Sequence, residues 1–188
     1  TLEGSVGIGG IGDGSYAIMN TGSVAGKFSG DSVTLQQSQW AMSAMVKMIA
    51  YKTTDGSISN IVEVEDRPST YSALSGSASI RTNGQRINGS TRFNQTYNTY
   101  AGGTAAPRWY HIVFQKDYSI EYLYVNGVYQ DGNDSYVQTM SDPVIAIGGG
   151  VGNGATWTTS SIYMGSVSIW TGSVLTEGQI DKLYQEFL

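Results

Sequence analysis

The chain has 188 residues, 40% of them hydrophobic and 13% charged, with a formal net charge of −5 and no cysteine. One domain with a substantial core fits this length, and the low charge excludes an intrinsically disordered chain. The lack of cysteine removes any disulfide frame or thiolate metal site, and no run of about 18 apolar residues exists to span a bilayer as a helix.

The first residue is Thr1, and no basic and apolar signal region opens the chain, so a processed or excised piece of a longer protein is expected. Charge is distributed unevenly. All five arginines lie between Arg67 and Arg108, and no Asp or Glu occurs from Arg67 through Lys116, so that stretch carries +6. Such charges act either as solvated strand positions that discourage edge-to-edge pairing or as a docking surface for sulfated glycans, phosphate groups or acidic subunits. In the docking case Arg81, Arg86 and Arg92 carry the contact. The acidic total, with no basic cluster interleaved with aromatics, argues against nucleic acid.

Taken in chain order, Gly7-Ile8-Gly9-Gly10-Ile11-Gly12 formally matches a dinucleotide fingerprint. That motif needs a strand before it and a helix after it, whereas six residues precede it and Ser15 to Met19 reads as a strand, so the match is chance. Trp40, Met42, Ala44, Val46 and Met48 alternate as a half-buried strand does, and Ile58 to Val64 follows the Asp55-Gly56 turn. Tyr110, Ile112 and Phe114 share one face of the segment Arg108 to Lys116. Tyr122 and Tyr124 stand opposite Leu123 and Val125 in Ile120 to Asn126. Asn83-Gly84, Asn88-Gly89, Asn126-Gly127 and Asp131-Gly132 are expected as hairpin turns. The periodicity changes once, where Thr176 and Gln179 form a capping box and Ile180, Leu183, Tyr184 and Phe187 fall on one helical stripe.

Ordered motifs run through most of the chain: Phe28-Ser29-Gly30 to Val33 before the Trp40 segment, Arg108-Trp109-Tyr110-His111-Ile112 turning into Leu123-Tyr124-Val125-Asn126-Gly127, Ile145-Ala146-Ile147-Gly148, and Met164 to Trp170 before Leu175 to Tyr184. Together they resemble the laminin G-like domains of the concanavalin A-like lectin and glucanase superfamily. The resemblance implies one domain over 1–188, an all-β two-sheet antiparallel jelly-roll sandwich with one short C-terminal helix. It also implies that His111, the only histidine, is a structural strand residue.

Fold does not assign function, because this sandwich hosts lectins, hydrolases, adhesion modules and virion proteins. Hydrolases of the superfamily carry an E-x-D-x-E strand; Glu63-Val64-Glu65-Asp66 departs from it, with Glu at the central position and the third acid displaced. Asp131, Asn133 and Asp134 offer hard oxygen ligands of the type Ca²⁺ prefers, although a plain Asp-Gly turn accounts for them as well. Saccharides are held by aromatic faces and amide hydrogen bonds in shallow grooves. Trp157, Tyr97 and Tyr100, with Asn98 and Asn153, match that description. Asn88-Gly89-Ser90, Asn94-Gln95-Thr96 and Asn133-Asp134-Ser135 also have the form of N-glycosylation acceptors.

The expected function is therefore non-catalytic recognition or display on the exterior of a larger assembly, a cell surface or virion decoration, with a glycan or partner subunits as ligand. The alternatives are a purely structural docking domain and a glycoside hydrolase using Glu63 and Glu65.

Overall fold

The structure is a computed structural model that describes residues 6–11, 15–20, 26–29, 38–48, 58–66, 76–83, 86–91, 99–100, 109–134, 143–147 and 162–186. The strands are β1 (Val6–Ile11), β2 (Ser15–Asn20), β3 (Gly26–Ser29), β4 (Gln39–Met48), β5 (Ile58–Asp66), β6 (Gly76–Asn83) and β7 (Arg86–Thr91). They continue with β8 (Thr99–Tyr100), β9 (Trp109–Asp117), β10 (Ile120–Val125), β11 (Val128–Asp134), β12 (Pro143–Ile147) and β13 (Ile162–Thr171), before helix α1 (Glu177–Gln185).

These strands make two antiparallel sheets, a seven-stranded one in the order β1-β2-β13-β4-β9-β10-β11 and a six-stranded one in the order β3-β12-β5-β6-β7-β8. The chain passes from sheet to sheet between β2 and β3, β3 and β4, β4 and β5, β8 and β9, β11 and β12, and β12 and β13. The result is the expected jelly-roll sandwich. Its core forms where the alternating apolar rows meet: Trp40, Met42, Ala44 and Val46 of β4, Tyr110, Ile112 and Phe114 of β9, and Leu123 and Val125 of β10, against Ile61, Val62 and Val64 of β5, Ala78 and Ile80 of β6, and Ile87 of β7. Trp40 meets Phe114 edge-on, with ring centroids 5.3 Å apart.

The outer face of the seven-stranded sheet is also covered. Ala41, Val113 and Tyr124 point away from the main core, yet they are buried with Leu175 and Ile180 under α1. The capping box forms as its spacing predicts: the Thr176 side chain accepts from the Gln179 N–H, and the Gln179 side chain accepts from the Thr176 N–H. Gln115 holds the segment leading into the helix by accepting from the Leu175 N–H at 2.9 Å and donating to the Leu175 carbonyl at 3.1 Å.

Two expected turns are not turns. Asn88-Gly89 lies inside β7, where Gly89 pairs with Ile80 and faces Phe114 across the core, so close that a Cβ there would overlap the ring. Asp131-Gly132 lies inside β11, where Gly132 pairs with Tyr122. In both cases the glycine is selected by a close approach and not by positive φ. Asn126-Gly127 does form the β10–β11 turn, with φ of 53° and 76° at its two residues. Gly7 to Ile11 lies in β1 and pairs with β2, so no helix follows the glycine motif. The Asp55-Gly56 turn and Phe187 lie outside the described residues.

Candidate functional site

Alternation along β10 sends Glu121, Leu123 and Val125 inward and Tyr122 and Tyr124 outward. A register shift between Leu123 and Tyr124 then sets Tyr129 of β11 opposite Tyr124 and Gly132 opposite Tyr122. Three tyrosines thus collect on one outward face at the end of the sheet. Tyr129 stands 5.7 Å from Tyr124 at 69° and 6.4 Å from Tyr122 at 60° between ring planes. Tyr124 is buried beneath α1, whereas Tyr129 is 50% exposed.

Gly132 makes this arrangement possible. A Cβ at that position would lie 2.8 Å from the Tyr129 hydroxyl oxygen. Around the rings are polar groups: Gln130 donates to the Val128 carbonyl at 3.1 Å, and Glu177 opens the first turn of α1. Burial first, then the neighbouring Glu177 charge and the Tyr122 and Tyr129 hydroxyls, push the Tyr124 hydroxyl above its usual pKa. The raised pKa keeps the Tyr124 phenol in its neutral form, and the three rings form a surface that can stack and hydrogen-bond.

The other sheet contributes the facing edge. Thr91 of β7 donates to Glu121 of β10 at 2.9 Å, and Gly89 of β7 lies over Phe114 of β9, so β7 sits over β9 and β10. Continuing each sheet by one strand brings β8 and β11 to the same flank of the sandwich. Tyr100 of β8 pairs with Arg86, and the Gly89–Phe114 contact sets that pair toward the Asn126-Gly127 end of β10. Strand β8, which carries Tyr100, and strand β11, which carries Tyr129, thus share one flank. Tyr97, Asn98, Asn153, Trp157 and Arg92 lie outside the described residues.

Further polar residues have structural partners. Glu63, Ser79, Arg81 and Asn88 occupy the outward face of the six-stranded sheet; Glu63, Ser79 and Asn88 are buried and Arg81 is half-buried. Burial lowers the Arg81 pKa and the Glu63 charge raises it, which places this guanidinium and carboxylate in one electrostatic unit. His111 is buried, shares a 2.9 Å hydrogen bond between its Nε2 and Ser43 Oγ, and stacks on Tyr184 at 6.3 Å. Burial holds its pKa down to about 4, consistent with the expected structural role.

The residues considered for Ca²⁺ run along a strand. Asp131 Oδ1 accepts from the Gly132 N–H and Asn133 Oδ1 from the Asp134 N–H, each at 2.9 Å. Strand alternation sends Asp134 to the face opposite Asn133. No group of three or more His, Cys, Asp or Glu residues that could hold a metal occurs among the described residues. Among them, too, no helix is long and apolar enough to cross a membrane.

No family model matches the chain, and no curated protein matches it in sequence. Solved structures do resemble it. The binding domain of Paraclostridial Mosquitocidal Protein 1 aligns with 100% of this chain and 47% of its own at 15% identity and a TM-score of 0.67. The binding domain of botulinum neurotoxin DC in complex with SialylT aligns with 100% of this chain and 46% of its own at 11% identity and 0.70. Domain 4 of AbnA, a GH43 extracellular arabinanase from Geobacillus stearothermophilus in complex with arabinotriose, aligns over 97% and 82% at 16% identity and 0.64. The chain spans about half the length of the two toxin domains. At such identities the likeness establishes the fold, an all-β sandwich, and nothing finer.

Proposed function

We propose that the chain is a non-catalytic glycan-recognition domain, laminin G-like in type, acting outside the cell on the exterior of a larger assembly. The observation that carries this reading is the tyrosine cluster on an open flank, where Tyr129 is half-exposed and braced by Tyr122 and Tyr124. A braced ring loses little conformational freedom when a sugar stacks on it. Support also comes from the likeness of this chain to domains, or to part of a domain, whose structures were solved with SialylT and with arabinotriose. The proposed glycan contacts also include Tyr100, whose strand β8 lies on this flank, and Tyr97, Asn98, Asn153 and Trp157, whose rings and amides are of the type that holds a sugar. Display on a virion or cell surface is the finer form of the proposal.

A hydrolase reading finds less support. Glu63, its first carboxylate, is buried in charge interaction with Arg81. The same burial counts against Arg81 as a docking cation, because a half-buried guanidinium with an internal carboxylate is committed to its own sheet. Screening the protein on a glycan array, with Trp157→Ala beside it, tests the proposal. Binding to at least one glycan class is expected, weakened about tenfold by loss of one stacked ring. A protein that binds no printed glycan overturns it.

A further inference from the structure

We infer that Tyr129 is the stacking platform of this flank and that its ligand is a neutral oligosaccharide, not a sialylated or uronate-bearing one. The inference rests on the glycan-recognition reading and adds to it a place and a charge class.

The place follows from exposure and geometry. The large hydrophobic residues that stay exposed among the described residues are Tyr118, Ile120, Val128 and Tyr129, all on the β9–β11 hairpins. Of these, Tyr129 alone has rings of other described residues packed against it. One side of its ring is held by Tyr122 and Tyr124, its hydroxyl lies over Gly132, and the remaining half meets solvent. An aromatic ring exposed to this extent is a surface on which the C–H face of a pyranose or furanose can stack. Gln130, next along the strand, carries an amide of the kind sugar hydroxyls need.

The charge class follows from the residues around the ring. The charged residues of β11 and α1 are Asp131, Asp134, Glu177 and Asp181 against a single Lys182. Glu177 is near enough for its charge to act on Tyr124, and Asp181 Oδ1 lies 3.4 Å from where a Gly127 Cβ would stand, beside the β10–β11 turn. A carboxylate sugar stacked on Tyr129 would approach the side of α1 that carries Glu177 and Asp181 and be repelled, an effect that reaches about one Debye length, roughly 8 Å at physiological salt. A neutral sugar meets no such repulsion and can use the same carboxylates as hydrogen-bond acceptors.

The test is an array carrying neutral arabino-, xylo-, gluco- and galacto-oligosaccharides beside sialylated or uronate-bearing forms of the same chains, at about 0.15 M salt. Calorimetric titration then follows with the best-bound probe. The neutral forms are expected to bind at least tenfold more tightly than their acidic counterparts. Tyr129→Ala should weaken binding at least tenfold in a protein that stays folded, its thermal midpoint lowered by no more than a few degrees. Tyr129→Leu, which keeps apolar bulk but removes the ring, should do the same and separates loss of stacking from loss of fold. Glu177→Gln combined with Asp181→Asn should narrow the gap between neutral and acidic probes. Equal or preferred binding of the acidic forms overturns the inference, as does binding unchanged by both Tyr129 substitutions. If glycans bind with those results, the recognition reading stands and only its place or charge class falls; if no probe binds, both fall.

Discussion

Replacing Gly89 by alanine probes the alignment of the two sheets, on which the shared β8–β11 flank depends. The added Cβ would come within 2.5 Å of Phe114 Cε2 and 2.6 Å of Cγ. Ordinary carbon contacts begin near 3.5 Å, so the ring must retreat by about 1 Å. It has nowhere to go, because Phe114 is fully buried and packs edge-on against Trp40. Overpacking of this kind costs about 1–3 kcal/mol, and removing glycine from a strand returns roughly 0.5–1 kcal/mol. We therefore expect Gly89→Ala to destabilise the fold by roughly 1–2 kcal/mol, which lowers the urea midpoint by roughly 0.5–1 M for a typical slope. Phe114→Leu alone should cost about 1 kcal/mol through lost packing. In the double variant the smaller side chain makes room for the methyl group, so the two costs should fall short of their sum by at least about 1 kcal/mol. Additive costs, or a Gly89→Ala protein as stable as the parent, would refute this packing of β7 over β9.

Two further outcomes follow from the covered outer face. His111 has its pKa lowered from 6.5 to about 4 by burial, so between those values the unfolded chain holds a proton that the native state lacks. Stability should be steady above about pH 6.5 and fall, by up to about 3 kcal/mol, as pH drops toward 4. His111→Gln should flatten that dependence between pH 7 and 5, and an imidazole NMR titration centred near 6.5 in the native protein would contradict the buried setting. Thr176→Ala removes the oxygen that accepts from the Gln179 N–H; it should cost about 1 kcal/mol and speed hydrogen exchange at the Ile180 N–H, while Thr176→Asp should restore protection. Unchanged exchange in the alanine variant would mean that the cap does not hold the first turn.

Strand segments were readable because a half-buried strand repeats every two residues, and β4, β9 and β10 fall where their alternation predicts. Helix α1 was readable from its local capping pair, since both partners lie within one turn of each other. The tyrosine cluster was only half legible. Tyr122 and Tyr124 could be assigned to one strand face, but Tyr129 joins them through the β10–β11 register shift, and no local pattern specifies which residue of one strand opposes which of the next. Its one sequence signal is Gly132, which has the appearance of a turn and is instead the open floor beneath a hydroxyl.

Local spacing by itself determined the alternating strands, their inward rows and the capped helix, because each depends on residues a few positions apart. Only the tertiary structure decided which outward residues are covered, as with Ala41 and Val113 beneath α1, and which glycines answer a neighbouring ring, as with Gly89 beneath Phe114. It also brought β8 and β11 to one flank. These are contacts between segments far apart in the chain, chosen by how two sheets and a helix exclude water together, and no window of sequence contains both partners.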